Sequence, residues 1–377
     1  LNKLKQILLQ VKMKQWFLAS ILFLLCLVSL VFVNHNATFY HKPIAEVSEI
    51  VNEEQANVTD SKENHDVVYT QLIHATLKNG EEKGSQIELT NEYSDSRAYH
   101  PKLSVGDEVF VSVEESSSGQ LVGSIADIKR DQALLVVAWL FIFVLLAVGR
   151  KQGLFAMISL VVNAVIIAYA LDLYIDTANV SLLVIMSGAV IVMSILSLLF
   201  VSGFKAQTYA AIIATLLGTF MLLFITMYVL DITNEQGLRF EEMSFLSRPP
   251  QAIFMAGILV GALGAVMDIG VSMSSSLFSL YEKNNAISIK DLRESGIEIG
   301  KDIMGTMTNI LFFAYVSGTI PSLLLYLMND ASLGFTLSMN LSLELTRALA
   351  GGIGIVLTIP IGLYVTILFI LWKQVKS

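Results

Sequence analysis

Charge is scarce in this sequence. Only 15% of its 377 residues are Asp, Glu, Lys or Arg, where soluble domains carry about 25%. That excludes an ordinary soluble globular enzyme and a disordered chain. A basic excess is missing too: the net charge is −8 and the isoelectric point is 5.2, which argues against a nucleic-acid partner. Cysteine is nearly absent. The single Cys26 lies in an apolar run, so an intrachain disulfide and a cysteine-based metal site are both excluded. No Walker motif, HExxH or GxSxG occurs, so ATP-driven transport and the familiar hydrolase chemistries have no support. The expectation is a protein that is not an enzyme and carries no cofactor.

What is abundant is hydrophobicity: 54% of residues are apolar and mean hydropathy is +0.66. A membrane span needs about 17–25 mostly apolar residues. Eight stretches qualify, near 16–33, 133–149, 154–171, 180–201, 208–230, 250–276, 303–328 and 348–372. The expected fold is therefore a polytopic α-helical membrane protein with about eight transmembrane helices.

Between the first two stretches lies a polar block, 34–131, with 18 of the 32 acidic residues and all five histidines. Residues 34–66 lack periodicity and read as a linker. From Val67 onward, alternating apolar runs and turn signals (Asn79-Gly80, Gly106-Asp107, Ser116 to Gly119) indicate four or five short strands over 67–131. A small β-barrel-like domain, OB-like being one option, fits that pattern. Its histidines, at 35, 41, 65, 74 and 100, show no i, i+2 or i+4 pair. Zinc sites usually do, so they read as scattered surface residues and no metal site is expected.

Orientation follows from Lys and Arg in the short loops. With the N-terminus inside, 13 fall on the cytoplasmic side and three, Arg239, Arg248 and Arg347, on the other. Both termini are then cytoplasmic, and 34–131 is extracellular. Residues 1–33 read as a basic start followed by an uncleaved signal anchor, and 132–377 as a seven-helix membrane domain. Within the latter, Ser288-x-x-Asp291 starts a short amphipathic helix near 288–302, expected to lie on the cytoplasmic surface.

One acidic residue outside the polar block lies far from any helix end. Asp268 sits inside the sixth stretch, where a carboxylate costs about 2.5 kcal/mol or more, and is a functional-site hypothesis by default. At 100° per residue, Gly257, Gly261, Gly264, Asp268, Ser272 and Ser275 share an arc of about 80°. Small residues let another helix approach closely. On the seventh stretch Asp302, Thr306 and Asn309 are spaced i, i+4 and i+7, and Asn309 is a candidate partner for Asp268. Asn163 is a further intramembrane amide, read chiefly as interhelical glue. Glu344 and Arg347 are spaced as an ion pair ahead of Gly351-Gly352-Ile353-Gly354, a cluster that marks close packing or a broken helix. The candidate pocket is thus Asp268, Ser272, Ser275, Thr306 and Asn309, with Asn163, Asp302 and Glu344 as secondary candidates.

The run from Gly264 to Leu277, with Asp268, Ser272 and Ser275, resembles the YibE/F-like family of bacterial membrane proteins. So do Ser295-Gly296, the run Ile299 to Asn309, Ala314-Tyr315, Pro321 to Leu325, and Glu344 ahead of the glycine cluster. The resemblance covers roughly 133–372. It implies a multi-pass membrane protein of Gram-positive type and carries no established substrate. Lys301 stands where the family commonly has Arg, and Ile310 where it has Thr. The second change removes a hydroxyl beside Asn309.

The residues support two expectations. One is a secondary transporter or exporter of an unknown small molecule or ion, coupled to a proton or cation at Asp268. The other is a non-transporting scaffold or receptor whose outer domain binds a peptide, protein or envelope component. The bilayer is a partner in both. A homo-oligomer, or a hetero-oligomer with a paralogous membrane protein, is a further expected assembly.

Overall fold

The computed structural model describes residues 13–59, 63–97, 100–115, 121–177, 180–243 and 249–376. The basic start 1–12 and the turn read at Ser116 to Gly119 lie outside the described residues. The chain forms two compact units, Leu1–Leu145 and Leu146–Ser377.

The first unit holds helix α1 (Met13–Val33) and five strands: β1 (Ile44–Thr59), β2 (His65–Leu77), β3 (Gln86–Ser94), β4 (Glu108–Glu115) and β5 (Leu121–Ile128). Successive strands β1, β2 and β3 pair antiparallel, β3 runs parallel to β5, and β5 pairs antiparallel with β4. The order β1-β2-β3-β5-β4 closes on itself through Ile44, Ala45 and Glu46, which pair with Phe110, Val109 and Glu108. The seams are short: three residue pairs between β1 and β4 and four between β3 and β5. Inward alternation buries Ala45, Val47, Ile73, Ile87, Leu89 and Val109 in one core.

The supposed linker 34–66 is corrected here. Its residues 44–59 are β1, a full member of the sheet. The reason for the misreading is physical. From Val51 onward β1 is exposed on both faces and pairs only with β2, so no core imposes alternation on it.

The second unit is helical. Helix α2 (Asp131–Asp176) enters it from the first unit, followed by α3 (Leu182–Ser202), α4 (Ala206–Ile232), α5 (Pro250–Lys283), α6 (Ile289–Ser317), α7 (Ile320–Met328) and α8 (Leu333–Lys376). Helix α2 has 46 residues, about 69 Å at 1.5 Å per residue, and contains the second and third apolar stretches. Arg150, at φ 48° and ψ −121°, breaks it between them. By length and composition α2, α3, α4, α5 and α8 can each cross a membrane, and the pair α6–α7, bent by 49°, makes a sixth. The apolar part of α1, Ser20–Val33, is shorter.

The amphipathic segment 288–302 is not a separate helix. It is the first half of α6, which continues without interruption to Ser317. Its start is as read: the Ser288 hydroxyl accepts from the Asp291 backbone N–H at 3.1 Å. Helix α6 ends at Ser317, and Pro321 sits in the first turn of α7, where the N–H that proline lacks would have no helical partner in any case.

Helix α8 runs unbroken through Gly351–Gly354, so the glycine cluster marks close packing. A Cβ at Gly351 would overlap the Leu311 side chain of α6, and one at Gly354 would lie 3.0 Å from Leu222 of α4. Helix α5 packs against α3, α4, α6 and α8. Its buried positions include Ile258, Leu259, Ala262, Val266, Ile269 and Met273.

Candidate functional site

Those buried positions of α5 leave the opposite stripe outward. Gly257, Gly261, Gly264 and Asp268 are exposed, and Ser272 and Ser275 are half-buried. The six residues share one helix face, as their spacing requires. Ser274, one step round, is buried and bonded to Thr366 of α8 at 2.9 Å, so it belongs to the bundle core.

Helix α6 lies antiparallel to α5. Tyr315 packs on Gly261 at one end, and Gly296 on Leu277 at the other. Midway between those contacts lie Asp268 on α5 and Thr306 on α6, so the two polar stretches sit at the same height. Asp302, Thr306 and Asn309 are exposed, on the side of α6 away from its buried Gly296, Gly300 and Leu311. Among the described residues, no hydrogen bond or ion pair reaches Asp268, and the Thr306 hydroxyl donates to its own Ile303 carbonyl at 2.9 Å. The expected Asn309–Asp268 pairing is therefore not among the contacts of this chain.

The secondary candidates resolve differently. Asn163 of α2 exchanges two hydrogen bonds with Ser197 of α3, at 2.9 and 3.0 Å, the geometry of interhelical glue. Glu344 and Arg347 form an ion pair one turn apart on α8. The Arg347 guanidinium lies over the Phe254 ring of α5, 5.1 Å from its centroid. Sequence reasoning treated Tyr315 only as part of a resemblance, yet its hydroxyl reaches the glycine face of α5. No local pattern could reveal that, because the contact joins residues 54 positions apart.

In the first unit the polar groups concentrate where α1 ends and α2 begins. Asn79 donates to the carbonyls of Ala37, Tyr40 and Lys42 and accepts from the Ile44 N–H. Asp131 accepts from Asn36 at 2.9 Å and Tyr40 at 3.0 Å. Lys129, only 4% exposed, pairs with Glu108 and with Asp131, and donates to the Val33 carbonyl at 2.9 Å. Burial pushes the Asp131 carboxyl up, but the hydrogen bonds from Asn36 and Tyr40 and the charge of Lys129 outweigh it, and the net shift is downward. Burial, then the bond to Asp131, raises Tyr40. Elsewhere on the sheet, Glu53 is lowered by its bonds from Tyr93 and Lys102. The histidines make separate local contacts: His35 with the Val31 carbonyl, His65 with Thr59, His74 with Glu49.

Long apolar helices around a polar helix face, joined to a small β domain, define the class: a membrane-embedded protein with a β-sheet domain near its N-terminus. Residues 137–371 match the family model described as YibE/F-like protein, and residues 38–128 match the YibE/F family N-terminal domain. The chain belongs to the YibE/F-like family. The second match includes β1, in agreement with the sheet. No curated protein and no solved structure matches the chain.

Proposed function

We propose that the protein is a secondary transporter or exporter in the cell membrane, coupled to a proton or cation at Asp268. The observation that carries this reading is the α5 stripe: a carboxylate at mid-helix on a face of glycine and serine, exposed on the bundle. Glycine and serine offer lipid little, and a charge facing lipid is costly. The stripe therefore calls for a covering helix or a water-filled space. Ser272 and Ser275 supply hydroxyls beside the carboxylate. Thr306 and Asn309 stand at its height on α6, and Asp302 and Glu344 are outlying acids. Cover comes from a second copy or a paralogous membrane protein. The loop charges orient the chain with both termini in the cytoplasm and 34–131 outside.

The test is Asp268→Asn beside Asp268→Glu, in a deletion strain profiled for metabolites and ions. Asn keeps size and hydrogen bonding and removes the charge cycle. Loss of coupled flux at normal expression, with partial retention by Glu, supports the reading. Wild-type behaviour of Asp268→Asn reduces the carboxylate to packing. It then favours the second reading, a non-transporting receptor or scaffold, for which the polar junction between the β domain and the helix ends is the supporting feature.

A further inference from the structure

Two buried polar atoms on the α5 stripe are not explained by packing. The Tyr315 hydroxyl of α6 lies against Gly261 so closely that a Cβ there would overlap it. One turn nearer Pro250, Arg347 Nε of α8 stands 3.8 Å from the Cβ position of Gly257. Among the described residues neither atom has a hydrogen-bond partner, and both are inaccessible to solvent. Arg347 already gives a terminal nitrogen to Glu344, so Nε is a spare donor. A buried donor left unpaired is costly, and each atom therefore calls for water or another oxygen.

The stripe continues from there toward Asp268. The next position is Gly264, where nothing lies within 4 Å of a built Cβ. Asp268 follows one turn later. Gly257 to Asp268 is 11 residues, about 16 Å of helix. Along it the order is Arg347 Nε, Tyr315 hydroxyl, open space, carboxylate. Three glycines keep that line free of side chains, which close helix packing alone does not require at Gly264.

We infer that Arg347 and Tyr315 mark the route by which protons reach Asp268 from the Pro250 end of α5. The inference rests on the reading of Asp268 as an ion site and deepens it by naming the ion. The Tyr315 hydroxyl lies too close on Gly261 for a hydrated metal cation to pass between them. A proton moves instead along hydrogen-bonded waters and the tyrosine hydroxyl: each oxygen accepts one proton and passes on another, and the carboxylate takes the last. Of the helices packed on α5, α3 brings no titratable group, and α4 brings Tyr209, Tyr228 and Asp231 in its terminal turns. Helix α6 brings Tyr315 on this side of Asp268 and Lys301 and Asp302 beyond it, while α8 brings Glu344 and Arg347 on this side and Tyr364 and Lys373 beyond.

The experiment is carbodiimide labelling of Asp268, which needs the protonated carboxyl, with the full chain in intact cells and in inverted vesicles. The pH is varied on one side at a time, and labelling is read by peptide mass spectrometry with Asp268→Asn as the blank. The expected result is labelling that follows the pH on the Pro250 side. Tyr315→Phe and Gly264→Leu should each slow that response roughly tenfold, the effect of 1.4 kcal/mol of barrier. Gly264→Leu enters open space, and Tyr315→Phe removes one hydroxyl, so a thermal melt matching wild type shows that folding is unchanged. Labelling that follows the opposite side, no labelling at either pH, or a Tyr315→Phe protein indistinguishable from wild type overturns the route. If Asp268 labels as expected while Asp268→Asn transports normally, the route stands and the ion-site reading falls.

Discussion

Asp131 shows what one side chain does at the junction of sheet and helices. It is three-quarters buried, takes hydrogen bonds from Asn36 and Tyr40, and faces the nearly enclosed Lys129. Its depressed titration makes its contribution fully present above about pH 4, the unfolded value, and lost as pH falls through the lower folded value. Tyr40 shifts the other way, so its share is present below about pH 10 and lost as pH rises through its raised folded value. Asp131→Asn should therefore lower the stability of the β domain near pH 7 by about 1–3 kcal/mol and flatten the acid limb of its melting curve. Circular dichroism melts from pH 3 to 7 check this, and superimposable curves for variant and wild type would refute it. None of this was legible in the sequence, because Asn36, Tyr40 and Asp131 are brought together by closure of the sheet. Asp268 is the opposite case. Its face is fixed by the geometry of one helix, so spacing alone placed it beside Gly264 and Ser272.

At the scale of elements, helix α6 joins an amphipathic half to an apolar half. The change in composition near Asp302 reads as a boundary in the sequence, yet nothing there breaks a helix: no proline intervenes and the capping residues stand at Ser288. Composition marks where the environment changes, and backbone chemistry marks where the helix ends. The docking of α6 depends on Gly296 and Gly300, which sit against Leu363 and Ile359 of α8. A Cβ at Gly300 would overlap the Ile359 side chain, whereas one at Gly305 meets nothing within 4 Å. Gly300→Val should thus cost about 1–3 kcal/mol by overpacking, while Gly305→Ala should be neutral or slightly stabilising through its higher helix propensity. Thermal unfolding of the two detergent-purified variants separates them. Equal melting temperatures would mean that the glycine is not what lets α6 approach α8.

On the topology proposed above, charge outside the helices orients the whole molecule, rather than anything in its core. Cytoplasmic placement of Lys and Arg sets topology because short basic loops resist translocation, whereas a long block such as 34–131 crosses largely regardless of charge. The same arithmetic assigns opposite sides to two exposed lysines. Lys83 lies in the turn between β2 and β3, and Lys290 in the first turn of α6 with its side chain 82% exposed. Cys26, the lone cysteine, is buried, so a Cys26→Ser background leaves no native thiol. In intact cells an impermeant maleimide should label Lys83→Cys and miss Lys290→Cys until the membrane is opened. Both positions are solvated loop or surface residues, so failure to label cannot be blamed on burial. The reverse pattern would invert the chain, turn the Pro250 end of α5 toward the cytoplasm, and with it reverse the side from which a proton on the Asp268 route would come.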